Sequence, residues 1–470
     1  MPPLAVDLDG TLVKTDLLLE SLIALLKQKP WRVLQLPGWL LKGRAHFKHR
    51  VAAEVALDVS TLPYRADLVE FLRTQRAQGR RLVLATAADS QIARKVADHL
   101  GLFDHLLSSD GAVNLADEVK RDRLIREFGE SGFDYAGNGR TDLPVWSAAR
   151  KIILVNPSSH LRTGIAKTAN VDRVFEDPPA GVATYLKPLR PQHWLKNLLV
   201  LAPLLAAHRL DGGSAWSRLT LAFLAFVCVA SSGYLVNDLL DLQADRRHPS
   251  KRRRAFASGE LPLSYAFLMI PVLAGLGYVA GRFISALFPL VVFGYFGLSI
   301  VYSLYLKRIA VLDVIVLASL YGLRIFAGSV AVSIWPSHWL EAFSMFLFFS
   351  LALVKRYGEL TLMKRTNGDG AKARAYESTD AELLAAMGTA SGYLSVLVLA
   401  LYISSGAARH LYGHVELIWL LCPVLFYWIS YVWLIAHRGK MPDDPVAFAI
   451  SDWPSRISGA LTLGIVLLAL

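Results

Sequence analysis

The stretch "NDLLDLQADRRHPSKRRR", residues 237–254, follows directly on the apolar run "LTLAFLAFVCVASSGYLV", residues 219–236. A long hydrophobic helix therefore ends in carboxylates and then in six Lys and Arg side chains. Asn237, Asp241 and Asp245 are spaced by four and Asp238 lies three before Asp241, so a continuing helix carries all four on one face. Like charges at that spacing repel by ~0.2–0.5 kcal/mol per exposed pair, and by more beside a low-dielectric bilayer. Such a face calls for a cation. Mg²⁺ takes one or two carboxylates together with phosphate oxygens, which suits a metal-bound diphosphate at a membrane boundary. Arg246, Arg247, Lys251, Arg252, Arg253 and Arg254 supply the remaining counter-charge, and about half of the block reads as topology signal with lipid phosphate contact.

Working outward, 470 residues are too many for one ordinary core, so two or more domains are expected. The first half reads as soluble. From about residue 197 apolar stretches recur that approach the roughly 20 residues a bilayer span requires. Nine such stretches are expected, at about 197–209, 219–236, 263–281, 283–305, 309–334, 338–354, 383–404, 415–436 and 457–470, the first and last being short. No signal peptide is read at the N-terminus, which opens as the buried strand "PLAVDLDGT", so the first domain is expected in the cytoplasm and the rest as a multi-pass inner-membrane protein. The loops that this topology places inside hold 17 Lys and Arg and the opposite loops 4. This positive-inside asymmetry accounts for most of the net charge of +12 without nucleic acid as a partner. Cys228 and Cys422 fall within expected spans, which argues against a disulfide framework or a cysteine metal site.

In the soluble half, "LAVDLDGT" is an apolar strand that ends in Asp7 and Asp9, followed by Gly10 for a tight turn. Both carboxylates can turn toward a crevice at the strand's C-terminal end. Further along come the strand "RLVLATAAD" with Thr86, then Lys120 in "VKRDRLIREFG", then "FDYAGNGRTDLPVW" with Asp142. In this order the four stations resemble the haloacid dehalogenase (HAD) superfamily of phosphatases over residues 4–157. The resemblance implies an α/β Rossmann-like domain with a helical cap at about 15–62, and phosphoryl transfer through an aspartyl intermediate. It implies Asp7 as nucleophile, Asp9 as general acid/base, Thr86 and Lys120 on the phosphoryl oxygens, and Mg²⁺ held by Asp7, Asp9, Asn138 and Asp142. A carboxylate that attacks a phosphate dianion needs such cations to offset repulsion. Asn138 departs from the acidic residue common in the family, and an amide is a weaker Mg²⁺ ligand. A catalytically degenerate module kept for folding or binding is therefore a second reading. In the cap, Trp31 and Trp39 either rest on the membrane surface or pack a cap core.

The stretch "NDLLDLQADRRHPSKRRRAFASG" resembles the NDxxDxxxDRxHPxKRxRPxAxG signature of the UbiA superfamily of intramembrane prenyltransferases, with Ala255 and Phe256 in the usual Pro-Ile slot. The resemblance implies an all-α bundle of about nine transmembrane helices around a cavity open to the cytoplasmic side and to lipid. "LRPQHWLKNLLVLAPLLA", "YLKRIAVLDVIVLASLYGLRIFAGSVA" and "ALVKRYGEL" further resemble the decaprenyl-phosphate phosphoribosyltransferase branch, over about 187–470. The matching positions are Arg190, Trp194, Lys196, Asn197, Lys307, Asp313, Arg324, Lys355, Arg356 and Glu359. Asp313 and Arg324 are eleven residues apart, nearly three helical turns, and fall on one face of the fifth span. Charged groups there face a cavity or pair with neighbouring helices.

The branch implies phosphoribosyl pyrophosphate as donor and a polyprenyl phosphate as acceptor, with Mg²⁺ on Asp238, Asp241 and Asp245. A phosphatase tethered through a linker at about 158–186 would then remove the 5-phosphate of the product. The alternatives are an aromatic prenyltransferase that uses an allylic diphosphate, against which the missing second DxxxD motif counts, and a transporter, for which no inverted repeat is evident.

Overall fold

The computed structural model describes residues 1–165, 170–208, 213–365, 376–442 and 444–470. The chain divides into two compact units, Met1–Pro188 with Asp238–Phe267, and Leu189–Asn237 with Leu268–Leu470. The signature loop thus belongs to the same unit as the N-terminal domain.

In the first unit, β1 (Leu4–Val6), β2 (Leu82–Asp89), β3 (His105–Ser109), β4 (Asp134–Gly137), β5 (Ile152–Val155) and β6 (Val171–Phe175) form one sheet of order β3-β2-β1-β4-β5-β6. All pairings are parallel, and Leu4 lies opposite Leu82 on one side and Asp134 on the other. Strand alternation explains the two cores. Leu4, Val6, Leu82 and Leu84 pack on one face with Leu68, Leu72 and Val96, whereas Ala5, Val83 and Ala85 pack on the other with Leu124, Phe133 and Trp146. Both faces being covered, the strands read as apolar runs. The order reverses between β1 and β4, so the crevice beyond their C-terminal ends is where a ligand site belongs in such a sheet.

The stretch 158–186, read from sequence as a linker, carries a helix at Ser159–Ile165 and the edge strand β6. Val171, Val174 and Phe175 give this segment enough strand character to pair with β5 despite Asp172 and Arg173. Between β1 and β2, the helices Leu17–Gln28, Leu36–Leu41 and Arg44–Glu54 surround a small core of Ala24, Leu25, Trp39, Val51 and Val55.

The expected nine spans are matched in part. Among the described residues, six helices are long and apolar enough to cross a membrane, at Gly213–Leu240, Leu263–Arg282, Leu312–Val332, His338–Thr361, Ala381–Ser404 and Val415–His437. Phe288–Leu304 and Trp453–Ala469 are apolar but only 17 residues each, or about 25 Å at 1.5 Å per residue. The stretch expected at 197–209 forms a 3₁₀ helix at Pro191–Leu201 and a short helix at Ala202–Ala206. Pro203 lacks an N–H and clashes with the preceding turn, which stops one continuous helix there. Positions 209–212 lie outside the described residues.

Small residues let these helices approach. A Cβ on Gly388 would lie 2.0 Å from the Trp433 ring, and one on Gly392 would lie 2.6 Å from Ile429. Ser350 Oγ donates to Gly388 O at 2.6 Å and accepts from Trp433 Nε1 at 3.1 Å, which fixes the indole in that gap. Gly388→Ala is expected to cost about 1–3 kcal/mol through overpacking, read as a lower thermal midpoint in detergent. An unchanged midpoint would mean that Trp433 gives way freely.

Candidate functional site

The first candidate site lies at the C-terminal ends of β1 and β4. Asp7 follows β1 directly, and its N–H donates to Ala136 O at 2.9 Å. Its Oδ1 accepts from Lys120 Nζ at 2.8 Å and its Oδ2 from Thr11 Oγ1 at 3.2 Å. The Thr11 hydroxyl is also 3.2 Å from Asn138 Oδ1, so Asp7 and Asn138 converge on one point. Gly10, at φ +71°, permits this approach, since a Cβ there would sit 2.3 Å from Asn138 Nδ2. Lys120 Nζ further donates to Tyr135 OH at 2.9 Å, and that hydroxyl donates to Asp142 Oδ1 at 2.8 Å. Asp142 Oδ2 accepts the N–H groups of Asn138 and Gly139 at 2.9 and 3.0 Å, which pins the turn after β4.

Burial raises the Asp7 carboxyl above its ordinary value, against the pull of Lys120. Burial works against the Lys120 ammonium, but Asp7 and Asp142 outweigh it and hold its pKa above the usual lysine value. Asp9 accepts the Leu17 N–H at 2.8 Å, and burial, with the charge of Asp16, pushes its carboxyl up to about 7. A carboxyl at that value can both give and take a proton near neutrality. Thr86 is fully buried on β2, and its hydroxyl accepts the Ala88 N–H at 3.0 Å.

The cap closes this region with a residue that the sequence did not single out. Lys48, from the helix Arg44–Glu54, donates to Ala87 O at 2.7 Å and to Asn114 Oδ1 at 2.9 Å. With Asp9, Asp16, Ser21 and Asp89 it lines a cavity of about 170 Å³. Burial lowers its pKa, partly offset by Asp9 and Asp16.

The second candidate site is the signature loop, within the same unit. Its expected single helix is interrupted: one helix ends at Leu240, Asp241 forms a turn at φ −95° and ψ 5°, and a second runs over Leu242–Arg247. The Asp245 N–H still reaches Asp241 O at 2.8 Å, so the carboxylates keep near-helical spacing. Arg254 Nη1 donates to Asp238 Oδ1 at 3.2 Å and to Asp245 Oδ2 at 2.6 Å, one positive group between two carboxylates. Burial raises the Asp245 carboxyl, and Arg254 counters it.

Asp241 faces Lys27 of the cap at 3.4 Å. Arg246 points to the cap as well, where it forms a two-pronged pair with Glu20, 2.8 Å at the Nη1 prong, and donates from Nε to Ala257 O at 3.1 Å. Arg247 pairs with Asp58. Lys251 and Arg252 occupy a 3₁₀ turn at Lys251–Arg253, where Arg252 is exposed. Gly259, at φ +76°, lets the loop close on Lys14 and Pro63, whose Cβ atoms would lie 2.6 and 3.3 Å from an added Cβ.

Both places can be weighed for Mg²⁺. At the first, Asp7 Oδ2 and Asn138 Oδ1 are drawn together while both Asp142 oxygens are engaged by donors, which fits an ion held by one carboxylate and one amide. At the loop, Asp238 and Asp245 already accommodate one cationic group. Among the described residues no three His, Cys, Asp or Glu side chains form a metal cage. Two protein oxygens plus phosphate and water ligands are how Mg²⁺ is ordinarily held.

The second unit brings most of the remaining candidates into two polar clusters. Arg324 donates to Asn197 Oδ1 at 3.0 Å and to Tyr295 OH at 2.7 Å, and lies 5.5 Å from the Tyr321 ring centre. Lys196 Nζ lies 5.8 Å from the same ring and 2.6 Å from Asp444. Arg190, at φ +53°, lies 5.1 Å from the Tyr234 ring. Trp194 Nε1 donates to Ser231 Oγ at 3.1 Å. Asp444, which the sequence reading missed, also pairs with His193 at 2.8 Å. Burial would raise it, but His193 and Lys196 hold its carboxyl well below the usual range. In the other cluster Asp313, fully buried, pairs with Arg356, which reaches Glu359 at 2.7 Å and Tyr302 OH at 2.6 Å. Asp313 and Arg324, expected on one face, thus have different partners. Lys355 is half-buried beside Arg356, Lys307 lies on the turn Leu306–Arg308, and Asn237 is half-buried near the end of its helix.

Two protein families match successive parts of the chain. The haloacid dehalogenase-like hydrolase family matches residues 4–146, and the UbiA prenyltransferase family matches residues 198–453. An uncharacterized protein, y4nM, of Sinorhizobium fredii is 36% identical over 98% of this chain and 89% of its own length. The nodulation protein NoeC of Azorhizobium caulinodans is 37% identical over 61% of this chain and 93% of its own. The decaprenyl-phosphate phosphoribosyltransferase of Mycobacterium tuberculosis is 37% identical over 44% of this chain and 70% of its own. The signature loop and its apolar helices are therefore those of a multi-pass transferase, and the chain belongs to the UbiA prenyltransferase family, with a haloacid dehalogenase-like domain at its N-terminus.

Proposed function

We infer that the chain transfers a 5-phosphoribosyl group from phosphoribosyl pyrophosphate to a polyprenyl phosphate, and that its N-terminal domain removes the 5-phosphate of the product. The observation that carries the first step is the convergence of Asp238 and Asp245 on one cationic group, in a chain similar to decaprenyl-phosphate phosphoribosyltransferases. When bound there, Mg²⁺ supplies charge neutralisation for a leaving pyrophosphate. In the transfer, an oxygen of the lipid phosphate bonds to ribose C1 as the C1–O bond to pyrophosphate breaks, and the pyrophosphate leaves with the electron pair. Asp238, Asp241 and Asp245 orient the donor, with Asn237, Lys251 and Arg252 beside them in sequence. Arg190, Lys196, Asn197, Lys307, Arg324, Lys355 and Arg356 supply groups that offset phosphate charge, with Asp313 and Glu359 holding Arg356 in place. Catalysis rests on positioning and electrostatics.

In the second step the Asp7 carboxylate attacks phosphorus while Asp9 protonates the departing ribose oxygen. Asp9 then takes a proton from the water that attacks the aspartyl phosphate, which releases inorganic phosphate and regenerates Asp7. Thr86 and Lys120 hold the phosphoryl oxygens. Mg²⁺ held by Asp7 and Asn138 would reduce the repulsion met by the nucleophile, with Asp142 pinning the turn that carries Asn138. The membrane is the inner one, with the N-terminal domain on the cytoplasmic side, as the charge asymmetry of the loops supports.

The test supplies Mg²⁺, a short polyprenyl phosphate and labelled phosphoribosyl pyrophosphate to the detergent-purified chain. Label is expected in the lipid phase, and Asp241→Asn is expected to abolish that transfer. Transfer of an allylic chain to an aromatic acceptor, with none from phosphoribosyl pyrophosphate, would sink the donor assignment.

A further inference from the structure

The cap leaves one apolar surface uncovered. Trp39 turns inward to Ala24, Leu25 and Val51, but Trp31, Leu34, Leu40 and Leu41 are 65%, 85%, 54% and 90% exposed. They lie on the 3₁₀ turn Pro30–Gln35 and the helix Leu36–Leu41, so four large apolar groups are presented by one short stretch of chain. Exposed apolar side chains are ordinary when scattered singly, whereas a cluster marks a surface that something covers.

Charge identifies what covers it. From Ser21 to Ala53 the sequence holds no Asp or Glu, and Lys29, Arg32, Lys42 and Arg44 bracket the apolar groups. Lys29 and Arg32 are drawn to Glu54 at 2.9 and 3.6 Å, whereas Lys42 and Arg44 are exposed. Tryptophan and leucine between cations suit the headgroup region of a bilayer, where the indole sits at the interface and the cations meet anionic lipid. The six long apolar helices of the same chain keep a bilayer permanently nearby. Tethering raises the effective concentration of that surface, so a contact too weak to recruit a free protein suffices.

We propose that Pro30–Arg44 of the cap docks on the anionic phospholipid surface of the membrane, with Trp31, Leu34, Leu40 and Leu41 in the headgroup layer and Lys42 and Arg44 on lipid phosphates. The next helix carries Lys48 to the cavity that holds Asp9, so this contact holds the part of the cap that closes the cavity. The inference is independent of the identity of the substrate.

The experiment places an environment-sensitive fluorophore on Leu41→Cys in the full chain, with Cys228 and Cys422 replaced by Ser, in nanodiscs of POPC with POPG. Ser147→Cys, at an exposed position of the sheet domain, is the comparison. Nitroxide lipids labelled at headgroup depth are expected to quench the probe at 41 severalfold more than at 147. That quenching is expected to fall severalfold when POPG is replaced by POPC, and likewise in Lys42→Glu/Arg44→Glu. Equal quenching at the two positions would overturn the proposal. A blue-shifted emission at 41 that lipid nitroxide does not quench would also overturn it, because it would assign the surface to a protein contact. Quenching unaffected by POPG would overturn the anionic headgroup.

Discussion

Asp7→Asn is expected to abolish phosphate release while leaving phosphoribosyl transfer intact, so that the 5-phosphorylated lipid accumulates. The substitution is nearly isosteric: the amide oxygen can keep the Lys120 bond at 2.8 Å, while the Thr11 hydroxyl, 3.2 Å from the other oxygen, can turn to accept from the new NH₂ group. An amide has no charge with which to attack phosphorus, however, and removal of a nucleophile typically costs about 10⁴-fold or more. The measurement is mass spectrometry of the lipid product from wild type and variant under identical turnover. The dephosphorylated species should dominate the first and be absent from the second. If both give only the phosphorylated lipid, the N-terminal domain does not act on this product. The weaker ligand at Asn138 would then have a functional meaning.

The second large effect concerns stability. Glu20 is 2% exposed and is held by both prongs of Arg246, so each is the other's main compensation for leaving water. Glu20→Leu leaves a guanidinium in an apolar place and is expected to cost about 3–5 kcal/mol. Arg246→Met alone should cost a similar amount, but the double variant should recover most of it, because replacing a buried pair by well-packed apolar groups is often neutral. Thermal unfolding of the full chain in detergent reads both. Single variants indistinguishable from wild type would mean that the pair opens to water. Transfer activity should fall in Glu20→Leu although the substitution touches no metal-binding carboxylate, since the same cap helix carries Lys27 to Asp241.

The stations of the N-terminal domain were legible because each falls near the end of an apolar strand or the head of a helix, and the parallel sheet gathers those ends. Lys48 was not, since its role depends on how a cap helix folds back over β2, and nothing in "RAHFKHRV" separates it from the neighbouring cations. Tyr135 likewise gives no signal, because only the sheet places its hydroxyl between Lys120 and Asp142. Residues 237–245 read as one continuing helix, and the turn at Asp241 is not legible, because "LLDLQA" has good helical propensity throughout. At the first expected span the helix is short, since an apolar window does not register that Pro203 breaks a helix. Asp444 sits in a polar loop far along the sequence from its partners His193 and Lys196, a pairing that only tertiary structure creates.

The contacts of Arg246 with Glu20, Arg247 with Asp58 and Gly259 with Lys14 and Pro63 also bear on how such a fusion can evolve. A lineage could not exchange its N-terminal domain for another phosphatase by simple recombination at residue 187. The incoming domain would have to bring a carboxylate for each arginine and a clear surface for the glycine, or the signature loop would lose its support. The domain and the loop meet through a few side chains, and their sequences are expected to change together at those positions.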